Sequence, residues 1–148
     1  MLPELTLGAM MILVTTIIHG VFTAASVGVL MRYLSNGLRV DTDWRASVVL
    51  SFFVLFLFLA TVLEVWVWAL LYILIGAFDG LEEALYFSTV TFTTLGYGDI
   101  VLDEEWRLLA SFEAANGLFL FGWSTALVFA VVQWIFDHRE EQASKPKH

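Results

Sequence analysis

Leu81-Glu82-Glu83-Ala84-Leu85-Tyr86-Phe87-Ser88-Thr89-Val90-Thr91-Phe92, running into Thr93-Thr94-Leu95-Gly96-Tyr97-Gly98-Asp99, is the stretch on which the fold turns. Its first part is apolar and suited to a helix. At about 1.5 Å per residue, however, that helix is only about 18 Å long, against about 30 Å for a hydrocarbon core. Its second part sets Gly96 and Gly98 around Tyr97 and cannot continue the helix. A short apolar helix followed by such a segment reads as re-entrant, an arrangement a membrane tolerates only where it packs in protein or lines a water-filled path. On these grounds alone, an amphipathic helix lying in the interface is an equal alternative.

Working outward, three stretches are nearly free of charge: Leu5 to Met31 (27 residues), Ala46 to Phe78 (33 residues) and Leu108 to Phe136 (29 residues). Each exceeds the roughly 20 residues that span a bilayer, with tilt and interfacial ends absorbing the surplus. Composition agrees: 59% of residues are hydrophobic, 15% are charged, and the mean hydropathy is +0.82. A soluble domain carries about 25% charged residues. The expected fold class is an all-α membrane protein. Its parts are a transmembrane helix within 1–34, an outer helix 46–78, a short helix 81–93, a loop 94–98, an inner helix 106–136 and a polar tail 137–148. The first span is a poor signal peptide, because its leading residues hold Glu4 and no cation and its apolar run is too long.

Six of the seven basic residues, Arg32, Arg39, Arg45, Arg139, Lys145 and Lys147, fall on one side of this arrangement. The positive-inside tendency assigns that side to the cytoplasm, which puts the amino terminus outside and the carboxyl terminus inside. The outer side then carries Glu4, Asp79, Glu82, Glu83, Asp99, Asp103, Glu104 and Glu105 against Arg107 alone, an anionic vestibule that would concentrate cations. On the inner side the cations meet Asp41, Asp43, Asp137, Glu140 and Glu141. Seven scattered cations cannot form a nucleic-acid face. The absence of cysteine removes disulfides and thiolate metal sites. No run outside the spans is long enough for a soluble ligand-binding domain, and no span shows the arginine periodicity of a voltage sensor. The outer carboxylates have no nucleophile, metal cluster or cofactor loop beside them, so neither an enzyme nor a cofactor is expected.

Thr94-Leu95-Gly96-Tyr97-Gly98, extended by Thr93 and Asp99, resembles the selectivity-filter signature of the pore-loop potassium channels. The resemblance covers 46–141 and is closest to the bacterial pore-only tetramers. It implies a carbonyl-lined filter in which potassium exchanges its water shell for backbone oxygens of Thr94, Leu95, Gly96 and Tyr97, with the Thr94 hydroxyl as the innermost ligand. Successive strand carbonyls normally alternate, and Gly96 and Gly98 allow the unusual φ/ψ that turns them one way. Tyr97 would point away and brace the filter. One motif per chain implies a homotetramer, in a bacterial inner membrane, with potassium as permeant ion, lipid as surroundings and no resident cofactor. The carboxyl end of the short helix would aim its negative dipole at a cation below the filter.

Some positions depart from the family pattern. Leu95 replaces the commonest Val. Tyr86 and Phe87 stand where a Trp pair often braces the filter, and Phe87 cannot donate a hydrogen bond. Val90 replaces a Glu that pairs with the filter Asp in some members, and Leu102 replaces a frequent Pro. Thr93, Asp99, Tyr86, Phe87 and Val90 are therefore the candidate filter supports.

Elsewhere in the chain each reading has a plain rival. Gly117 is either a hinge or a packing residue of the inner helix, and Gly122 a packing residue. Phe121, Thr125 and Phe129 share one helix face, as a cavity wall with a constriction at Phe129 or as an ordinary packing stripe. Glu64 and Glu113 are the only carboxylates inside spans. With His19 they form either a pH-sensitive group or neutral packing groups, since an acid at mid-membrane costs about 2.5–3.5 kcal/mol and faces protein or water. Gly20, Ala24 and Gly28 make a small-residue stripe by which the first helix would pack peripherally on the outer helix. Trp66, Trp68 and Trp106 are expected at the outer interface, and Trp44 and Trp134 at the inner one. Function is thereby expected to be potassium conduction; the rivals are a weakly selective cation channel and a regulatory membrane subunit that does not conduct.

Overall fold

The computed structural model describes residues 2–35 and 42–144, with side chains throughout except those of Leu34, Asp43 and 138–144. Arg39, Asp41, Lys145 and Lys147 of the expected inner face lie outside the described residues. Among the described residues four helices follow one another: α1 (Leu2–Ser35), α2 (Asp43–Leu74), α3 (Leu81–Phe92) and α4 (Arg107–Ser144). Among them α1, α2 and α4 are long and apolar enough to cross a membrane, and α3 is not. The inner helix does not stop at 136; it continues through Ser144.

Helix α2 ends where the chain can turn sharply. Gly76, at φ +71°, donates to the Ile73 carbonyl, and Ala77 donates to the Tyr72 carbonyl, so two carbonyls left open by the helix end are satisfied. The turn returns Phe78 to the core and brings the chain to Gly80, from which α3 starts. Helix α3 packs against both α2 and α4. The core at this end holds Trp68, Tyr72, Phe78, Phe87, Phe92 and Leu109. A second cluster, Leu30, Ala46, Phe53, Val131 and Ile135, closes the opposite end, where α1, α2 and α4 meet. Trp68, expected toward the outer interface, is fully buried in the first of these clusters.

Helix α1 differs from expectation in two respects. It packs on α2 and α4 alike, and not on α3. Its buried face is Glu4, Gly8, Met11, Thr15, His19, Ser26 and Leu30, at three- and four-residue steps apart from one longer gap that the half-buried Phe22 fills. The stripe of Gly20, Ala24 and Gly28 is elsewhere: among the described residues no atom approaches the place of a Cβ at Gly20 or Gly28, and Ala24 is exposed. Among the polar residues of α1, Thr15, His19 and Ser26 face protein, while Leu13, Ile17 and Val21 face outward. Glu4, counted with the outer acids, is buried.

Candidate functional site

Helix α3 ends in the same turn geometry as α2. Thr94 donates to the Thr91 carbonyl and Leu95 to the Val90 carbonyl, at 2.9 Å each. The residue that must enter the left-handed region in such a turn is normally glycine. Here it is Thr94, at φ +59°. A β-branched residue in that region is under strain, of order 1–3 kcal/mol, and persists only where its surroundings hold it. The nearby Thr93 hydroxyl reaches back to the Thr89 carbonyl at 2.7 Å, and the Val90 carbonyl also accepts the Gly96 amide at 3.2 Å.

From this turn the handedness alternates. Thr94, Gly96 and Gly98 have φ of +59°, +56° and +74°, whereas Leu95 and Tyr97 between them have negative φ. In an ordinary strand every residue has the same handedness and successive carbonyls point to opposite sides. Alternating handedness removes that reversal, so that neighbouring carbonyls can share one direction. Thr94 is the member of this set that sequence reasoning missed, because a β-branched residue argues against positive φ. The side chains of Leu95 and Tyr97 are 55% and 68% exposed in the single chain.

The five candidate supports separate. Tyr86 donates its hydroxyl to Asp99 Oδ2 at 2.6 Å, tying the second turn of α3 to the far end of the loop. That bond holds the Asp99 carboxyl below the usual carboxylate range, against partial desolvation and with help from the Asp99 and Ile100 amides. It also raises the Tyr86 phenol. Phe87 turns the other way and packs edge-on against Tyr72 and beside Phe78, both at 5.2 Å between ring centroids. Val90 contributes its carbonyl to the turn, and its side chain is buried.

On α4, Gly117 meets the end of α3. A Cβ there would collide with the carbonyl oxygen of Phe92, the last residue of the short helix, so Gly117 allows a close approach of two backbones. Among the described residues no atom approaches the place of a Cβ at Gly122, contrary to a packing role against them. Phe121 packs against the Phe92 ring at 5.9 Å, while Thr125 and Phe129 are exposed. The Thr125 hydroxyl bonds back to the Phe121 carbonyl at 2.8 Å.

The three candidates for a pH-sensitive group, His19, Glu64 and Glu113, fall into two networks. His19 bridges α2 and α4, with Nδ1 2.9 Å from Glu64 Oε1 and Nε2 3.0 Å from Ser124 Oγ. Nearby, Asn116 Nδ2 donates to Thr15 Oγ1 at 2.6 Å, a second tie between α4 and α1. Glu113 belongs to the other network. Tyr72 donates to its Oε2 at 2.7 Å, and Ser88 of α3 is bonded to its Oε1. Tyr72, Ser88, Ser124, Thr15 and Asn116 were not picked out by sequence reasoning. The available signal was a serine in the middle of a short apolar helix, facing a lone glutamate elsewhere. Among the described residues no group of His, Cys, Asp and Glu is arranged to hold a metal ion.

A family described as ion channel matches residues 51–133, more than half of the chain, from within α2 through α3 and the loop into α4. No curated protein and no solved structure matches. Helix α1 lies outside the matched residues. Three apolar spanning helices, a short helix between the last two and a loop of alternating handedness agree with that match, and the chain therefore belongs to the pore-loop ion channel family, as an integral multi-pass membrane protein and not an enzyme.

Proposed function

We propose that this protein is a potassium-selective channel, conducting passively through a filter built from Thr94, Leu95, Gly96, Tyr97 and Gly98 of four identical chains. The observation that carries the reading is the alternation of handedness at Thr94, Gly96 and Gly98 within that motif. It suits backbone carbonyls turned to one axis, the arrangement that replaces the hydration shell of a potassium ion. One chain supplies one wall of such an axis. The exposed Leu95 and Tyr97, and Phe119 at 80% exposure, are the surfaces that neighbouring copies would cover. The carboxyl end of α3 leads directly into the loop, and its dipole favours a cation there. With the arginine-rich end inside, Asp79, Glu82, Glu83 and Asp103 would raise the local cation concentration at the outer mouth, an effect weakened by salt.

The test is isotope uptake by liposomes holding the purified chain. Potassium-loaded liposomes should accumulate labelled potassium, and barium should abolish the uptake. Equal accumulation of labelled sodium would replace this reading by a weakly selective cation pore, and absence of uptake by a subunit that does not conduct.

A further inference from the structure

Ser88 and Phe92 stand one turn apart on α3, and Glu113 and Gly117 one turn apart on α4. Ser88 is joined to Glu113 by a hydrogen bond, and Phe92 meets Gly117 in a backbone approach with no room for a Cβ. The short helix is thus seated on the inner helix at two successive turns, and the second seat is the residue after which the loop begins. Glu113, Ser88 and Tyr72 are all fully buried.

Counting protons sharpens the first seat. Ser88 Oγ lies in hydrogen-bonding reach of Glu113 Oε1 and, at 2.9 Å, of the Val65 carbonyl on α2, while the Tyr72 hydroxyl reaches Glu113 Oε2. These are three hydrogen bonds, but the two hydroxyls supply only two protons. The third is supplied if the Glu113 carboxyl is a neutral acid that donates to Ser88, leaving the serine proton for Val65 and the tyrosine proton for Oε2. Every polar atom of the network is then satisfied, as a buried network requires.

We propose that Glu113 is a positioning residue for the ion pathway: as a neutral acid joining Tyr72 of α2 to Ser88 of α3, it fixes the height of the short helix against α4 and hence the place of the Thr94 turn. This rests on the reading of residues 94–98 as a selective filter. The network lies on the side of α3 away from the Tyr86–Asp99 bond, so the helix is held from two sides by separate polar contacts.

The experiment compares Glu113→Gln, Glu113→Ala and Ser88→Ala in the full-length chain reconstituted in liposomes, reading oligomer size, thermal stability in detergent and the potassium-to-sodium permeability ratio. A glutamine amide can donate to Ser88 and accept from Tyr72, so Glu113→Gln should keep the parent ratio. Glu113→Ala and Ser88→Ala should assemble and conduct with the ratio lowered at least about three-fold, the scale of one lost intramembrane hydrogen bond. A merely structural role would change stability and leave the ratio of assembled channels untouched. Should Glu113→Ala fail to assemble, Ser88→Ala, which removes one oxygen, decides alone. Assembled Ser88→Ala or Glu113→Ala channels with the parent ratio, or Glu113→Gln behaving as Glu113→Ala, would overturn the proposal. A parent channel that does not prefer potassium would overturn the filter reading instead, which keeps the two failures apart.

Discussion

Glu64 and Glu113 look alike in the sequence, each a lone acid in an apolar span, but the fold treats them differently. Both oxygens of Glu113 are engaged, one from α2 and one from α3, all within the residues shared with the ion channel family. Glu64 has one oxygen on His19 of α1, and its Oε2 has no partner among the described residues. One acid joins parts of the pore-loop unit to one another; the other joins that unit to a helix outside it. The difference teaches that burial alone does not give a membrane acid its role. The number of its partners, and the elements that carry them, do so.

The comparison breaks most readily at His19. Replacing it by Leu leaves Glu64 buried with neither oxygen bonded, and loss of one member of a buried pair is strongly destabilising, here about 3 kcal/mol. The double replacement His19→Leu, Glu64→Leu should recover most of that loss, since an apolar pair of similar volume is often neutral or better. Thermal unfolding of His19→Leu, Glu64→Leu and the double variant in detergent reads the result, and additive losses would show that the two residues do not act as a pair.

The glycines of α4 give the next largest effect. Gly117→Ala should destabilise by about 1–3 kcal/mol, because the Phe92 carbonyl cannot move without moving the end of α3. Gly122→Ala, in open space, should stabilise by about 0.5–1 kcal/mol through helix propensity. Equal responses at both positions would argue for a hinge rather than a contact at Gly117. Tyr72→Phe removes one bond to Glu113 while keeping the ring packing, and intramembrane hydrogen bonds average about 0.6 kcal/mol, so a loss near that value is expected in the same unfolding assay. A larger loss would mean that the second bond of Glu113 fails with the first.

The smallest effect is a shift in pH dependence. The Tyr86 hydroxyl holds the Asp99 carboxyl below its usual range, so the charge of Asp99 is present above the ordinary carboxylate range and is lost only in deeper acid. Tyr86→Phe removes the main cause and should move that loss to higher pH. Flux measured against external pH should show an acid-side transition displaced upward in the variant. An unchanged transition would mean that Asp99 does not govern it.

The three spans and the short helix α3 were legible in hydropathy and length. The unusual backbone of residues 94–98 was legible at Gly96 and Gly98, which take positive φ at little steric cost. Thr94 was not, because its side chain speaks against the conformation that the helix-ending turn imposes. Helix α1 was misread for a related reason. Hydropathy averages round a helix, and here Thr15, His19 and Ser26 are turned to protein while the small-residue stripe is not. The partners of Glu113 come from two other helices, and no spacing along one chain announces them.

The most direct measurement of the central claim is the reversal potential of the purified wild-type channel with potassium on one side and sodium at equal concentration on the other. A filter built at Thr94 to Gly98 predicts a displacement toward potassium of at least about 59 mV, the size of a ten-fold preference for a monovalent ion. A reversal potential at zero would contradict it.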